Sequence, residues 1–174
     1  MTRPFGGVSV IRPEWPKDAS SIRLLLREGF ETSAEADLVE RLRHDGDLVL
    51  AMVATDATDG IFGYVAFPRL CVEHAGQEFP AIGLAPLVVA KAYRRQGIGA
   101  DLVSGGLGNL GLRGESLVFV LGNPAYYMRF GFALDLTRPF TCVYAGPHFM
   151  ARRLTDNAPR AGTVRYPAAF DGFA

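Results

Sequence analysis

The stretch Arg94-Arg95-Gln96-Gly97-Ile98-Gly99-Ala100 joins an apolar run to a segment with helical spacing. Upstream, residues 79–90 read as one long apolar strand; downstream, a helix is expected from about Ile98 to Leu112, then a strand over 116–121. Such a strand–helix–strand set has about the length of a right-handed parallel crossover. Glycines at the turn permit positive φ and close approach of a ligand to the backbone. The first-turn N–H groups of the helix point outward, and its dipole favours an anion there. Arg94 and Arg95 add charge beside it, so the turn could hold a pyrophosphate; a plain tight turn is the competing reading. Two familiar phosphate loops are excluded. No Gly-Lys-Ser/Thr follows for a P-loop, and Leu102 stands where a dinucleotide fingerprint needs its third glycine.

Outward from this turn the elements are mixed. A short strand is expected over 8–12, ended by Pro13 and Pro16. Ile22, Leu25, Leu26 and Phe30 recur at helical spacing, with Ser20 and Ser21 available as caps. A second helix is expected from Thr32-Ser33-Ala34-Glu35, which has capping-box spacing; Leu38, Val39 and Leu42 form its core face and Gly46 closes it. Strands over 48–54 and 61–72 flank an Asp-Gly turn as a hairpin. Antiparallel pairs thus come first and a parallel unit follows, which predicts a mixed sheet. Pro86 interrupts the strand before the glycine turn. Proline cannot donate to a ladder, so that strand must bulge, splay or lie at an edge. Gly105, Gly106, Gly108 and Gly111 each cost the expected helix about 1 kcal/mol relative to Ala. Close packing on the sheet would explain them, and so would a helix that ends earlier.

Composition bounds the partners. The 174 residues carry 18 basic and 18 acidic side chains, so no net field attracts nucleic acid or an anionic membrane. The N-terminal ten residues lack the apolar run of a signal peptide, and Gly83 and Pro86 break the most apolar stretch, 81–90, which is too short to span a bilayer. A cytoplasmic protein is expected. Cys71 and Cys142 are isolated and read as free thiols; His44, His74 and His148 have no ligand spacing, so no metal is expected.

Two motifs now carry a resemblance. Arg94-x-x-Gly97-x-Gly99 resembles the R/Q-x-x-G-x-G/A motif of the GNAT superfamily of acyl-CoA N-acyltransferases. Downstream, Asn123-Pro124-Ala125-Tyr126-Tyr127-Met128-Arg129-Phe130-Gly131-Phe132 resembles the second signature of that family: Asn, then Ala, then Tyr four residues before Gly-Phe. Its Pro-x-Tyr-Tyr-x-Arg-Phe-Gly-Phe form is similar to one bacterial branch of predicted acetyltransferases. The resemblance implies a mixed α/β (α+β) fold in a single domain over 1–174. A central mixed, mostly antiparallel sheet of six to seven strands, splayed between its fourth and fifth strands, would be flanked by helices. Residues 137–174, rich in aromatics and with a last strand over 148–154, would line the acceptor side.

The resemblance also implies the chemistry. Acetyl-CoA would be the co-substrate. Its pantetheine arm would pair with Leu87, Val88 and Val89, and its pyrophosphate would sit on the amides of Arg95, Gln96, Gly97, Ile98, Gly99 and Ala100 beside Arg94. Asn123 would meet the pantetheine or the splayed strand end; capping the helix over 124–130 is an equal alternative. Tyr127 would be the general acid for the departing thiolate, and a packed aromatic with its hydroxyl tied to backbone is the competing reading; Tyr126 reads as core or pocket wall. Many relatives carry a catalytic Glu on the strand before the loop, but 81–89 contains no carboxylate. Glu73, His74 and Glu78 lie just upstream and could reach the cleft, although a surface role is the favoured reading for each; a base-free water relay is the other route. The acceptor would be an amine of a small molecule, peptide or protein, with no nucleic-acid or membrane partner, and a homodimer is compatible with the family. A non-catalytic CoA-binding sensor is the alternative function, and transfer to a hydroxyl or thioester hydrolysis is a third.

Overall fold

A computed structural model describes residues 9–173. Strand β3 (Ile61–His74) organises the sheet, because it is long enough to pair with different partners at its two ends. Strand β2 (Leu48–Thr55) runs antiparallel to its first half. The turn between them is tied by the Asp56 carboxylate, which accepts from the Thr58 and Gly60 amides at 2.8 and 3.0 Å. Strand β1 (Val10–Pro13) pairs with β2 at the edge; Val8, the first residue expected in it, lies outside the described residues.

The strand expected over 79–90 is two strands. β4 (Gln77–Leu84) pairs with the distal half of β3, and β5 (Leu87–Val89) pairs with Gly63–Val65 of its proximal half. Between them Ala66 bonds both Ala85 and Pro86: its amide donates to the Pro86 carbonyl at 3.0 Å, and its carbonyl accepts from the Ala85 amide at 3.1 Å. Two residues thus oppose one, which is a bulge. Helix α3 (Ile98–Leu112) then leads to β6 (Leu117–Leu121), which runs parallel to β4 at Ile82–Leu84. β6 has no pairing with β5, so beyond the bulge the two arms of the sheet part. This is the expected splay.

The far side holds more strand than expected. β8 (Phe149–Arg153) pairs antiparallel with β6, while β7 (Phe140–Thr141) and β9 (Gly162–Arg165) form a short parallel pair. β9 bonds to Cys71–Glu73 on the edge of β3 that β2 has left. The sheet therefore counts nine strands among the described residues, in the order β1-β2-β3-β4-β6-β8 with β5, β7 and β9 off that path.

Side-chain alternation along β3 divides the core. Val65 and Phe67 join the cluster under α3, whereas Tyr64 and Ala66 face α1 (Ala19–Gly29) and α2 (Ala34–Asp45). The predicted core faces of α1 and α2 are buried, except that Phe30 follows the end of α1 and is half-buried; their caps differ from expectation. Ser20 and Ser21 lie inside the first turn of α1, and Asp18 holds the N-cap position with its carboxylate on the Trp15 amide and Arg12. At α2 the Thr32 hydroxyl accepts from the Ala34 amide and the Ser33 hydroxyl donates to Asp37, so no capping box forms. Gly46 closes α2 with φ of 80°. Helix α3 keeps its full expected length. A Cβ on Gly106 would stand 2.2 Å from the Phe67 ring, whereas at Gly108 and Gly111 nothing lies within 4 Å. Close packing thus accounts for Gly106 and not for those two. Cys71 and Cys142 are free and half-buried. No helix among the described residues is long and apolar enough to cross a membrane.

Candidate active site

The mouth of the V begins at β5. The Ala90 amide donates to the Phe62 carbonyl at 2.8 Å, and Pro86 and Val88 also face β3. Ladder alternation then turns the main-chain groups of Leu87 and Val89 toward the open side, where β6 is absent. The Val89 carbonyl is occupied there by the Arg94 Nε at 2.9 Å, which ties the strand end to the following turn. Val88 is pinned from α1: a Cβ on Gly29 would stand 2.3 Å from its side chain.

After β5 the chain makes a 3-10 turn over Lys91–Tyr93 and reverses through Arg95, at φ of 61°, and Gly97, at φ of 84°. Gly97 is the N-cap of α3, so the amides of Ile98, Gly99 and Ala100 belong to the first turn and have no intrahelical acceptor. Gln96 steadies the reversal by donating to the Ala92 carbonyl at 3.3 Å. A cavity of about 370 Å³ opens over these groups, walled by Val89, Arg94, Arg95 and the residues from Gly97 to Ala100. Its other wall was not assigned a ligand role from sequence. The Tyr126 hydroxyl would stand 2.7 Å from a Cβ on Gly99, and the Arg129 guanidinium stacks 4.2 Å over the Tyr126 ring. The Tyr-x-x-Arg spacing was the available signal, since residues three apart share one helix face. Tyr126 is the pocket wall, one of its two expected readings.

Asn123 caps α4 (Pro124–Tyr127): its Oδ1 accepts from the Ala125 amide at 2.9 Å. The expected helix over 124–130 is therefore α4 followed by a 3-10 turn, Met128–Phe130. Tyr127 packs edge-on against Tyr126 and Phe132, and its ring would be 2.4 Å from a Cβ on Gly122, at the end of β6. Its hydroxyl makes no hydrogen bond among the described residues, so it is not tied to backbone. Burial, with a smaller contribution from Tyr126, raises its pKa to about 12.

The upstream carboxylates do not come to this site. Glu73 and Glu78 pair with Arg165 at the tip of the β3–β4 hairpin, roughly 25 Å of strand away from Pro86. A different carboxylate, on α2, has a buried oxygen. Glu35 shares the α2 face of Leu38 and Leu42, whose core cluster has Ala85 packed against it, and its Oε2 is buried without a hydrogen-bond partner among the described residues. Sequence spacing had assigned Glu35 to the capping box. No cluster of three or more His, Cys, Asp and Glu able to hold a metal occurs among the described residues.

The profile of the acetyltransferase (GNAT) domain matches residues 11–134. The chain belongs to the GNAT acetyltransferase family. This GNAT protein is 43% identical over 168 residues to the uncharacterised N-acetyltransferase YhbS of Escherichia coli strain K12, covering 94% of this chain and 99% of the relative. The crystal structure of YhbS from Escherichia coli in complex with CoA superposes with a TM-score of 0.88 at 41% identity, covering 100% of this chain and 97% of that one. A GNAT acetyltransferase from Brucella melitensis in complex with acetyl-CoA gives 0.78 at 30% identity, covering 94% and 99%.

Proposed function

We propose that the protein transfers the acetyl group of acetyl-CoA to a primary amine. The observation that carries this reading is the open edge of β5 leading directly into the uncapped amides of α3. A peptide-like pantetheine arm fits the Leu87 and Val89 edge by strand addition. A pyrophosphate fits the cavity from Arg95 to Ala100, flanked by Arg94. CoA and acetyl-CoA in the two solved relatives support the same ligand here.

In this reading the neutral amine attacks the thioester carbonyl. A free β5 amide stabilises the oxyanion, a contribution worth about 3 kcal/mol in other acyl transfers. The C–S bond then breaks, with Tyr127 meeting the departing sulfur and Glu35 taking the proton of the new ammonium. The products are the N-acetyl amine and CoA thiolate, which takes its proton from water while Glu35 returns its own to solvent. Asn123 acts through its cap, holding α4 and hence Tyr127 in place.

The test is thiol release from acetyl-CoA across polyamines, aminoglycosides, amino acids and peptide N-termini, with product mass determined. An acetylated amine is expected. CoA binding with no release from any acceptor would replace the enzyme reading with that of a CoA-binding sensor, and an acetyl ester or free acetate would move the activity to a hydroxyl or to water.

A further inference from the structure

A second cavity, of about 470 Å³, lies beside the first, between the outer face of α3 and the turn after α4. Ser104 and Gly108 of α3 form one side; Arg129, Gly131 and Arg152 form the other. Arg129 lines both cavities. Its Nε donates to the Tyr126 carbonyl at 3.1 Å. Arg152 on β8 donates through Nη1 to the Phe130 carbonyl at 2.6 Å, and its Nε would be 3.4 Å from a Cβ on Gly131. Each guanidinium is thus anchored by one donor on a backbone carbonyl and keeps others for a ligand.

The charge on these side chains is uncompensated. Arg129 and Arg152 form no ion pair with a carboxylate among the described residues, a state they share with Arg94 and Arg95 at the first cavity. Two positioned guanidinium groups without a counter-charge in a concave site match a phosphomonoester, whose oxygens accept paired N–H donors. The place in the fold says which one. β5 and Tyr127 mark the thioester end of the proposed donor, and the α3 N-terminus marks its pyrophosphate. Ser104 and Gly108 lie farther along α3, beyond the pyrophosphate, where the nucleotide end must go.

We propose that this second cavity is the subsite for the 3′-phosphate of CoA, with Arg129 and Arg152 as its fork, and that it makes the protein select CoA over 3′-dephospho-CoA. The proposal rests on the donor reading above. It is tested by calorimetric titration of the full chain with CoA and with 3′-dephospho-CoA. The wild type should prefer CoA by about tenfold to a hundredfold, the usual worth of hydrogen bonds to a charged group. Arg152→Gln should bring CoA down to the affinity of the dephospho form and leave the latter unchanged. Gly108→Glu should do the same by repulsion; a Cβ there meets nothing within 4 Å, so this variant keeps the fold should Arg152→Gln lose it. Equal wild-type affinities, or variants that weaken both nucleotides alike, would overturn the subsite while leaving the donor reading intact. Failure of the wild type to bind either nucleotide would overturn both.

Discussion

Below about pH 11 the Tyr127 phenol holds its proton, because burial has raised its pKa to about 12. That fixes what it can do for sulfur. A thiol with a pKa of about 8.5 is the stronger acid by more than three powers of ten, so complete transfer from the phenol to a free thiolate runs uphill. In the proposed reaction the hydroxyl contributes instead as a hydrogen bond that strengthens while charge builds on the sulfur, which acts on turnover rather than on binding. Tyr127→Phe should therefore lower kcat by about tenfold to a hundredfold, short of the largest general-acid effects, with CoA affinity unchanged. In that role its protonated form is the one required, and that form is lost only as pH rises through about 12. Tyr127 should accordingly produce no alkaline limb in the rate below about pH 11. Glu35→Gln in the same assay should lower kcat without changing CoA affinity, since Glu35 lies on the α2 side of the sheet. Unchanged turnover in Tyr127→Phe or in Glu35→Gln would remove that residue from the reaction.

Helix α3 shows which glycines have a structural reason. A methyl at position 106 would enter the ring of Phe67, which is fully buried and has nowhere to retreat, whereas a methyl at 108 meets open space. Gly106→Ala should destabilise the fold by about 1–2 kcal/mol, overpacking outweighing the gain in helix propensity. Gly108→Ala should stabilise it by up to about 1 kcal/mol. Urea unfolding of the two variants reads the difference, and stabilisation of both would mean that α3 does not press on Phe67. The start of α3 was legible in the sequence because it is local: glycines and arginines at fixed spacing mark a turn wherever it lies in the fold. The candidate site residues from Arg94 to Ala100 come together for the same reason. The division of β4 from β5 was half legible, since Pro86 announced a fault in the ladder but not that Ala66 would bond on both sides of it. The addition of β9 to β3, the basic wall of Arg129 and Arg152, and the unpartnered oxygen of Glu35 each depend on residues far apart in sequence. No periodicity within one segment reports such pairings. The caps expected at Ser20 and Ser21, and the capping box expected from Thr32 to Glu35, did not form because several polar residues competed for each helix end, and tertiary partners decided between them.

Taken as a whole, the sheet is one body at its base and two at its mouth. The arms on either side of the V are joined across β4 and β6 only where Ile82–Leu84 meets Val118–Val120. A ligand lying in the mouth against β5 and the α3 N-terminus would add contacts to edge amides that the sheet leaves unpaired. Binding to the folded state alone stabilises it by about 2.7 kcal/mol at a hundredfold excess over Kd. For a chain of 174 residues that corresponds to a rise in Tm of roughly 5–10 °C. Acetyl-CoA should produce this rise. The local signature is sharper. Val88 already pairs with Tyr64 across the β3 ladder, while the amides of Leu87 and Val89 face the open side. Hydrogen exchange resolved to single amides should therefore show acetyl-CoA protecting Leu87, Val89 and the first turn of α3, with Val88 unchanged. Protection that rises evenly across β5 would mean a general tightening of the fold. Protection confined to the segment after β8 would place the ligand elsewhere, and the open edge would lose its role.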